Sequence, residues 1–157
     1  MKFLTAPDYQ PLCRQLFIFY QTKILQLLPD AKVEHIGSSA IPHAISKGDL
    51  DIYIEVESSQ FEKAISLLTT LSFKEKQNTL RTPDLCMLES CNGDNVAFQL
   101  VRTGSKFQNF LTFRDQLCLS SSLLAQYNSL KQNCIGMHPS EYRQIKASFI
   151  EQVLNQK

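Results

Sequence analysis

The chain has no long hydrophobic run and no excess of charge of either sign. No stretch approaches the roughly 20 apolar residues that a membrane helix needs, so no membrane association is expected. The N-terminal sequence MKFLTAPDYQ has one lysine and no sustained apolar segment, which is not typical of a signal peptide. The formal net charge is +1, so no general field attracts polyanions and extended nucleic acid is not the expected partner.

Cysteine and histidine lack the spacing of a metal or redox site. The five cysteines include no CxxC pair, and the three histidines show no ligand spacing, so a zinc site is not expected. Reduced structural thiols are typical of a cytoplasmic protein, and we expect that location. With 157 residues, no repeat and no linker, the sequence predicts a single domain over residues 1–157 and leaves the oligomeric state open.

Two aspartates in an apolar run are the main chemical signal. Asp49 and Asp51 are one residue apart, and strand alternation places them on one face, about 7 Å apart. The opposite face then carries Leu50, Ile52, Ile54 and Val56. Two such carboxylates repel each other unless a cation or a proton lies between them. A hard ion with oxygen ligands, such as Mg²⁺, fits this pattern.

A glycine-serine turn precedes the aspartates by about a dozen residues. Backbone N–H groups and hydroxyls of Gly37, Ser38 and Ser39 can bind phosphate oxygens. A phosphate-binding turn followed by a metal-binding strand indicates nucleotide chemistry, with a nucleotide or small phosphorylated ligand as the partner.

The periodicity of the rest predicts an α+β fold. The expected elements are, in order, a helix at 9–28, strands at 33–36 and 49–56, a helix after residue 60, a hairpin of strands 85–90 and 96–102 around an Asn-Gly turn, and helices at about 109–133 and 138–154. This order predicts a mixed or antiparallel sheet flanked by helices, with a helical C-terminal part.

The motif order resembles known nucleotidyltransferases. Gly37-Ser38 followed by Asp49-Leu50-Asp51 resembles the nucleotidyltransferase superfamily that includes the polymerase β-type enzymes, which add a third carboxylate on a neighbouring strand. The blocks HIGSSAIP (35–42), FRDQL (113–117) and YNSLK (127–131) are similar to the GrpB family, the UPF0157 group. The resemblance runs from about residue 33 to 131. It implies a nucleotidyltransferase-like fold and hints at nucleotide or coenzyme metabolism.

The chain departs from that family at two places. Many GrpB-like sequences have Lys-Pro-apolar-apolar-Asp, whereas this chain has Lys47-Gly48-Asp49-Leu50-Asp51, which restores the two-carboxylate pattern. On the hairpin strand where a third acid is expected, Gln99 takes the polar position. Glu89 and Asp94 are the possible substitutes, and the sequence does not place either of them.

Two functional hypotheses follow. In the first, the chain is a Mg²⁺-dependent nucleotidyltransferase that transfers NMP from an NTP to an unidentified acceptor, with Asp49 and Asp51 as catalytic, metal-binding residues. Basic candidates for the triphosphate are Lys47, Arg102, Lys106, Arg114 and Lys131, of which Lys47 and Arg114 lie in family-like blocks. In the second, the same fold is a catalytically degenerate module that binds a nucleotide or coenzyme phosphate. Arg114 could equally serve a structural ion pair.

Overall fold

The computed structural model describes residues 2–155, which form a five-stranded sheet with helices on both faces. The first elements along the chain are α1 (Ala6–Leu27), β1 (Lys32–Ile36), β2 (Leu50–Val56), α2 (Phe61–Thr69) and β3 (Phe73–Glu75). They are followed by β4 (Leu85–Ser90), β5 (Val96–Arg102), α3 (Asn109–Leu119), α4 (Ser121–Asn133) and α5 (Pro139–Leu154). Short 3₁₀ turns lie at Ser38–Ala40, Ser58–Gln60 and Lys106–Gln108.

The sheet is mixed, as the sequence predicts. Its strand order is β1-β2-β5-β4-β3, with β2 and β5 parallel and the other neighbours antiparallel. The expected hairpin of β4 and β5 is confirmed, and its register pairs Met87 with Gln99. Because β2 lies between β1 and β5, its side chains are within reach of both neighbours. The α+β prediction with a helical C-terminal part is therefore confirmed.

One sheet face packs against α1 and α2. The alternate residues of β2 that the sequence assigns to the core, Leu50, Ile52 and Ile54, are fully buried there. Tyr20 and Ile24 of α1 complete the same cluster. Burial of each large apolar side chain contributes roughly 1.5–3 kcal/mol. Because the register of β2 keeps these side chains buried against α1 and α2, the alternate side chains of β2 point to the opposite face of the sheet.

The other sheet face meets the C-terminal helices. Ile36, Tyr53, Val101 and Phe107 form a small cluster next to α3. The helices α3, α4 and α5 have a core of their own, which contains Phe113, Leu117, Tyr127, Phe149 and Val153. The space between this helical core and the sheet contains the cavity described below.

The structure corrects two predicted boundaries. The expected helix at 109–133 is broken at Ser120, whose backbone is extended (φ −128°, ψ 105°) and whose hydroxyl accepts a hydrogen bond from the Leu123 N–H. A serine that caps the next helix competes with helix continuation, and that competition divides the segment into α3 and α4. In addition, β2 begins at Leu50, so Asp49 lies just before the strand rather than in it.

Within residues 2–155, none of the helices combines the length and apolar character required to span a bilayer.

Candidate functional site

The turn after β1 lies directly against Asp51. The antiparallel register pairs Ile36 with Asp51, so the next residue, Gly37, passes over the Asp51 side chain. Gly37 has φ 74° and ψ −176°, a region that is essentially limited to glycine. A Cβ at this position would stand 2.6 Å from Asp51 Oδ2. The glycine therefore serves two needs, the backbone conformation and the close approach to the carboxylate.

Both predicted aspartates line one cavity of about 780 Å³, together with Gly37 and Ser38. That volume is in the range of small-molecule and cofactor sites. Burial, and next the charge of Asp49, raise the pKa of Asp51 to about 6. Asp49 Oδ1 accepts a hydrogen bond of 3.3 Å from the Ser46 hydroxyl. The pair is thus a partly buried pair of carboxyl groups, and carboxylate oxygens are the ligands that a hard cation prefers.

The place of a third carboxylate is held by an amide. Gln99 on β5 lines the same cavity, and its Nε2 donates to Asp51 Oδ1 over 3.5 Å. Its Oε1 is buried without a hydrogen-bond partner. Among the residues that the structure describes, no group of three His, Cys, Asp or Glu side chains could hold a metal ion. The donors that this lining offers to a hard cation are two carboxylates and one neutral amide oxygen, and the third charged ligand of the superfamily pattern is missing.

The two possible substitutes for that ligand are engaged elsewhere. Glu89 on β4 lies 3.8 Å from the ammonium of Lys74. Asp94, in the turn before β5, accepts a 2.6 Å hydrogen bond from the Tyr20 hydroxyl on α1. The interpretation that either carboxylate completes the site has no support in these contacts.

A group of cations lines the same cavity as the carboxylates. Four of the five predicted basic residues are there, and a fifth cation that the sequence analysis missed joins them; the set is Lys47, Lys106, Arg114, Lys131 and Lys146. Arg102, the remaining candidate, instead pairs with Asp84 at 2.5 Å. Lys146 was detectable as part of a helical i, i+4 row on α5 with Tyr142 and Ile150, which also line the cavity.

Lys131 is the most enclosed of these cations. Its side chain is 2% exposed, its Nζ donates to the Ser38 hydroxyl and to the Ile45 carbonyl (2.6 Å), and it lies 4.2 Å from the Tyr127 ring centroid. Burial, and next the positive charge of Lys146, lower the pKa of Lys131 to about 7. An anionic ligand in the cavity would oppose both effects. Through its hydrogen bond to the Ser38 hydroxyl, Lys131 connects α4 to the glycine-serine turn.

The side chains of Ser39 and Arg114 mainly contact other residues of the same chain rather than the open cavity. The Ser39 hydroxyl lies 2.7 Å from His35 Nε2, and the side chain is 3% exposed. Arg114 forms ion pairs of 2.8 Å with Glu34 and Asp115 and donates to the His35 carbonyl. Arg114 borders the cavity, but these contacts show that it ties α3 to β1. Phosphate binding by either residue stays a prediction.

The pH dependence of stability should report on Asp51. Its pKa is higher in the folded state, so it contributes stability that is fully present below about pH 3.8 and is lost as the pH rises through about 6. Relative to Asp51→Asn, the wild type should lose about 1–2 kcal/mol of unfolding free energy across this window, after allowance for solvent screening. Urea denaturation at a series of pH values measures this difference. A difference that stays constant with pH would contradict the assignment.

Comparison with solved structures identifies the fold class of the chain. The Cid1 poly(U) polymerase with MgGTP bound superimposes with a TM-score of 0.52 at 16% identity, over 74% of this chain and 38% of that chain. The conserved protein GrpB from Enterococcus faecalis superimposes with a TM-score of 0.72 at 17% identity, over 96% and 98% of the two chains. The fold is therefore nucleotidyltransferase-like.

The sequence itself narrows the assignment. The GrpB protein family matches residues 5–156. A UPF0157 protein of Vibrio cholerae serotype O1 is 51% identical over 156 residues, which cover 99% of this chain and 83% of the relative. The chain belongs to the GrpB family, and the resemblance inferred from the motifs is confirmed.

Proposed function

We propose that the cavity binds a nucleoside triphosphate with Mg²⁺ and transfers its NMP group to a small acceptor. The observation that carries this proposal is the contact of the Gly37 turn with Asp51 at a cavity lined by lysines, within a nucleotidyltransferase-like fold. In the neighbouring Cid1 structure the ligand is MgGTP, which is consistent with the same class of ligand. We place the protein in the cytoplasm, where nucleotides are available and its free thiols stay reduced.

The charges of the cavity fit a polyphosphate. Five basic side chains and the three acidic side chains Asp49, Asp51 and Glu151 line the cavity, so its lining carries a formal excess of about two positive charges. Asp49 and Asp51 would hold Mg²⁺, and the bound ion would stabilise charge on the phosphate and leaving pyrophosphate oxygens. The lysine ammonium groups would neutralise the remaining phosphate charge.

Two residues of the turn, together with Lys131, have a role in this proposal. Gly37 lets the backbone approach the phosphates and Asp51 closely. Ser38 would exchange its hydrogen bond from Lys131 for one to a phosphate oxygen, and Lys131 would follow to bind the same group. The acceptor hydroxyl would attack the α-phosphorus and release its proton to solvent, while the bond from that phosphorus to the leaving pyrophosphate breaks. Extended nucleic acid is not proposed as the acceptor because the formal net charge of the chain is only +1, which provides no general field for polyanions.

A binding module without turnover is the second candidate. Gln99 adds no charge, and Glu89 and Asp94 are held by Lys74 and Tyr20. A fold with two carboxylates can still hold a metal–nucleotide complex or a coenzyme phosphate. The binding module is favoured if a nucleotide or coenzyme phosphate binds but no pyrophosphate is released.

A thermal-shift panel with pyrophosphate detection tests both functions. The panel contains the four nucleoside triphosphates and phosphorylated coenzyme A precursors, each with Mg²⁺ and with EDTA. A ligand at 100 times its Kd stabilises the folded state by about 2.7 kcal/mol, which corresponds to a shift of roughly 5–10 °C for a chain of this size. Metal-dependent stabilisation with pyrophosphate release supports the transferase. Stabilisation without release across a broad acceptor screen supports the module, and no shift with any ligand refutes both.

A further inference from the structure

We propose that the cavity holds one divalent cation rather than two, and that Gln99 sets this number. The inference rests on the proposed function, because it concerns the metal that accompanies the polyphosphate. It goes beyond that function by assigning a stoichiometry to the site and a role to a residue outside the carboxylate pair.

The position of Gln99 carries the first step. Parallel pairing places Gln99 beside Tyr53, and its side chain reaches back to Asp51, where Nε2 and Oδ1 are 3.5 Å apart. This is the neighbouring-strand location at which a carboxylate would complete a set of three acids. The amide group has the shape of a carboxylate but no charge, and its buried Oε1 has no partner in the described chain. Gln99 can therefore offer a neutral oxygen to one ion but cannot balance a second.

The balance of charge carries the second step. Two carboxylates offset the charge of one divalent ion. A second ion would add two positive charges beside Lys131 and Lys146, which line the same cavity. In the proposed complex the first ion and the lysine ammonium groups already balance the charge of the phosphates, so a second ion in this partly buried site requires another carboxylate.

No other acid of the described chain supplies that carboxylate. Glu151 on α5 also borders the cavity, but it does not form a three-ligand group with Asp49 and Asp51. Glu89 and Asp94 are held by their own partners. The one ion that fits is the ion bound jointly by the two aspartates and the polyphosphate.

The number of bound Mn²⁺ ions tests the inference without any enzyme activity. Electron paramagnetic resonance counts bound Mn²⁺ per protein in the presence of saturating inorganic tripolyphosphate, a probe that does not depend on base preference. The wild type is expected to bind one Mn²⁺ per chain. Gln99→Glu, which adds one carboxylate without changing side-chain shape, is expected to bind two.

Asn109→Asp is the matched control. Asn109 is the first residue of α3 and lines the same cavity, so this isosteric change adds the same charge to the cavity from a helix rather than from β5. An acid at a helix start is also tolerated by the fold. This variant is expected to bind one Mn²⁺, which separates a positional effect of residue 99 from a general increase in negative charge.

Each outcome is decisive. Two ions in the wild type would overturn the inference while leaving the proposed function intact, and no bound ion would overturn the proposed function itself. One ion in a folded Gln99→Glu protein, or two in Asn109→Asp, would refute the role of Gln99. If Gln99→Glu does not fold, Gln99→Asp provides the same charge in a smaller side chain, and the wild-type count still decides the stoichiometry.

Discussion

Replacing Asp49 and Asp51 together by asparagine is expected to abolish the Mg²⁺-dependent stabilisation of the protein by nucleoside triphosphates. Asparagine keeps the shape of both side chains but removes both charges that would hold the metal ion. The expected loss is the whole shift, roughly 5–10 °C at a ligand concentration of 100 times the wild-type Kd. Without ligand, the double variant should be at least as stable as the wild type, because Asp51 is a partly buried charge beside Asp49.

Glu89→Gln is the control for this change. It removes a carboxylate from the same sheet, but that carboxylate contacts Lys74 at the surface. Loss of this exposed ion pair should lower the free energy of unfolding by at most about 1 kcal/mol. Its nucleotide-dependent shift should equal that of the wild type. An Asp49→Asn, Asp51→Asn protein that keeps its metal-dependent shift would place the nucleotide elsewhere and refute the site.

Gly37→Ala is expected to destabilise the protein more than the same change at the exposed Gly104. The added Cβ would meet Asp51 Oδ2 at 2.6 Å, and the backbone conformation is unfavourable for alanine. The backbone contributes about 1–3 kcal/mol and the steric overlap a further 1–3 kcal/mol. Chemical denaturation should therefore show a loss of about 2–6 kcal/mol in the free energy of unfolding.

Gly104→Ala separates these two contributions. Gly104 also has a positive φ, +83°, but a Cβ there would meet nothing within 4 Å. This control should lose only the backbone contribution, about 1–2 kcal/mol. Equal losses at the two glycines would mean that the turn does not press on Asp51. A smaller loss at Gly37 in the Asp51→Ala background would confirm the contact.

The sequence predicted four of the five strands and the buried face of β2. The alternation of Leu50, Ile52 and Ile54 with the aspartates predicted which face of β2 is buried, because a strand has a strict period of two. The Asn-Gly turn predicted the hairpin that carries Gln99. These features depend on the spacing of residues that are close together in the sequence, so the sequence alone predicts them.

The helical side of the cavity could not be predicted in the same way. Lys131 and Lys146 reach the cavity only because α3 ends at Ser120 and the two following helices fold back over the sheet. That geometry depends on long-range packing of Phe113, Tyr127 and Phe149. Likewise, the ion pairs that hold Arg114 to Glu34 join residues 80 positions apart, so sequence spacing left its structural and ligand-binding roles equally open.

A calorimetric titration of the wild type with each nucleoside triphosphate, in Mg²⁺ and again in EDTA, tests the central claim most directly. The proposed site predicts saturable binding of one triphosphate per chain in Mg²⁺, with affinity lost in EDTA and in the Asp49→Asn, Asp51→Asn protein. Binding that is equally tight without metal, or that survives the loss of both carboxylates, would contradict a metal–nucleotide site at Asp49 and Asp51.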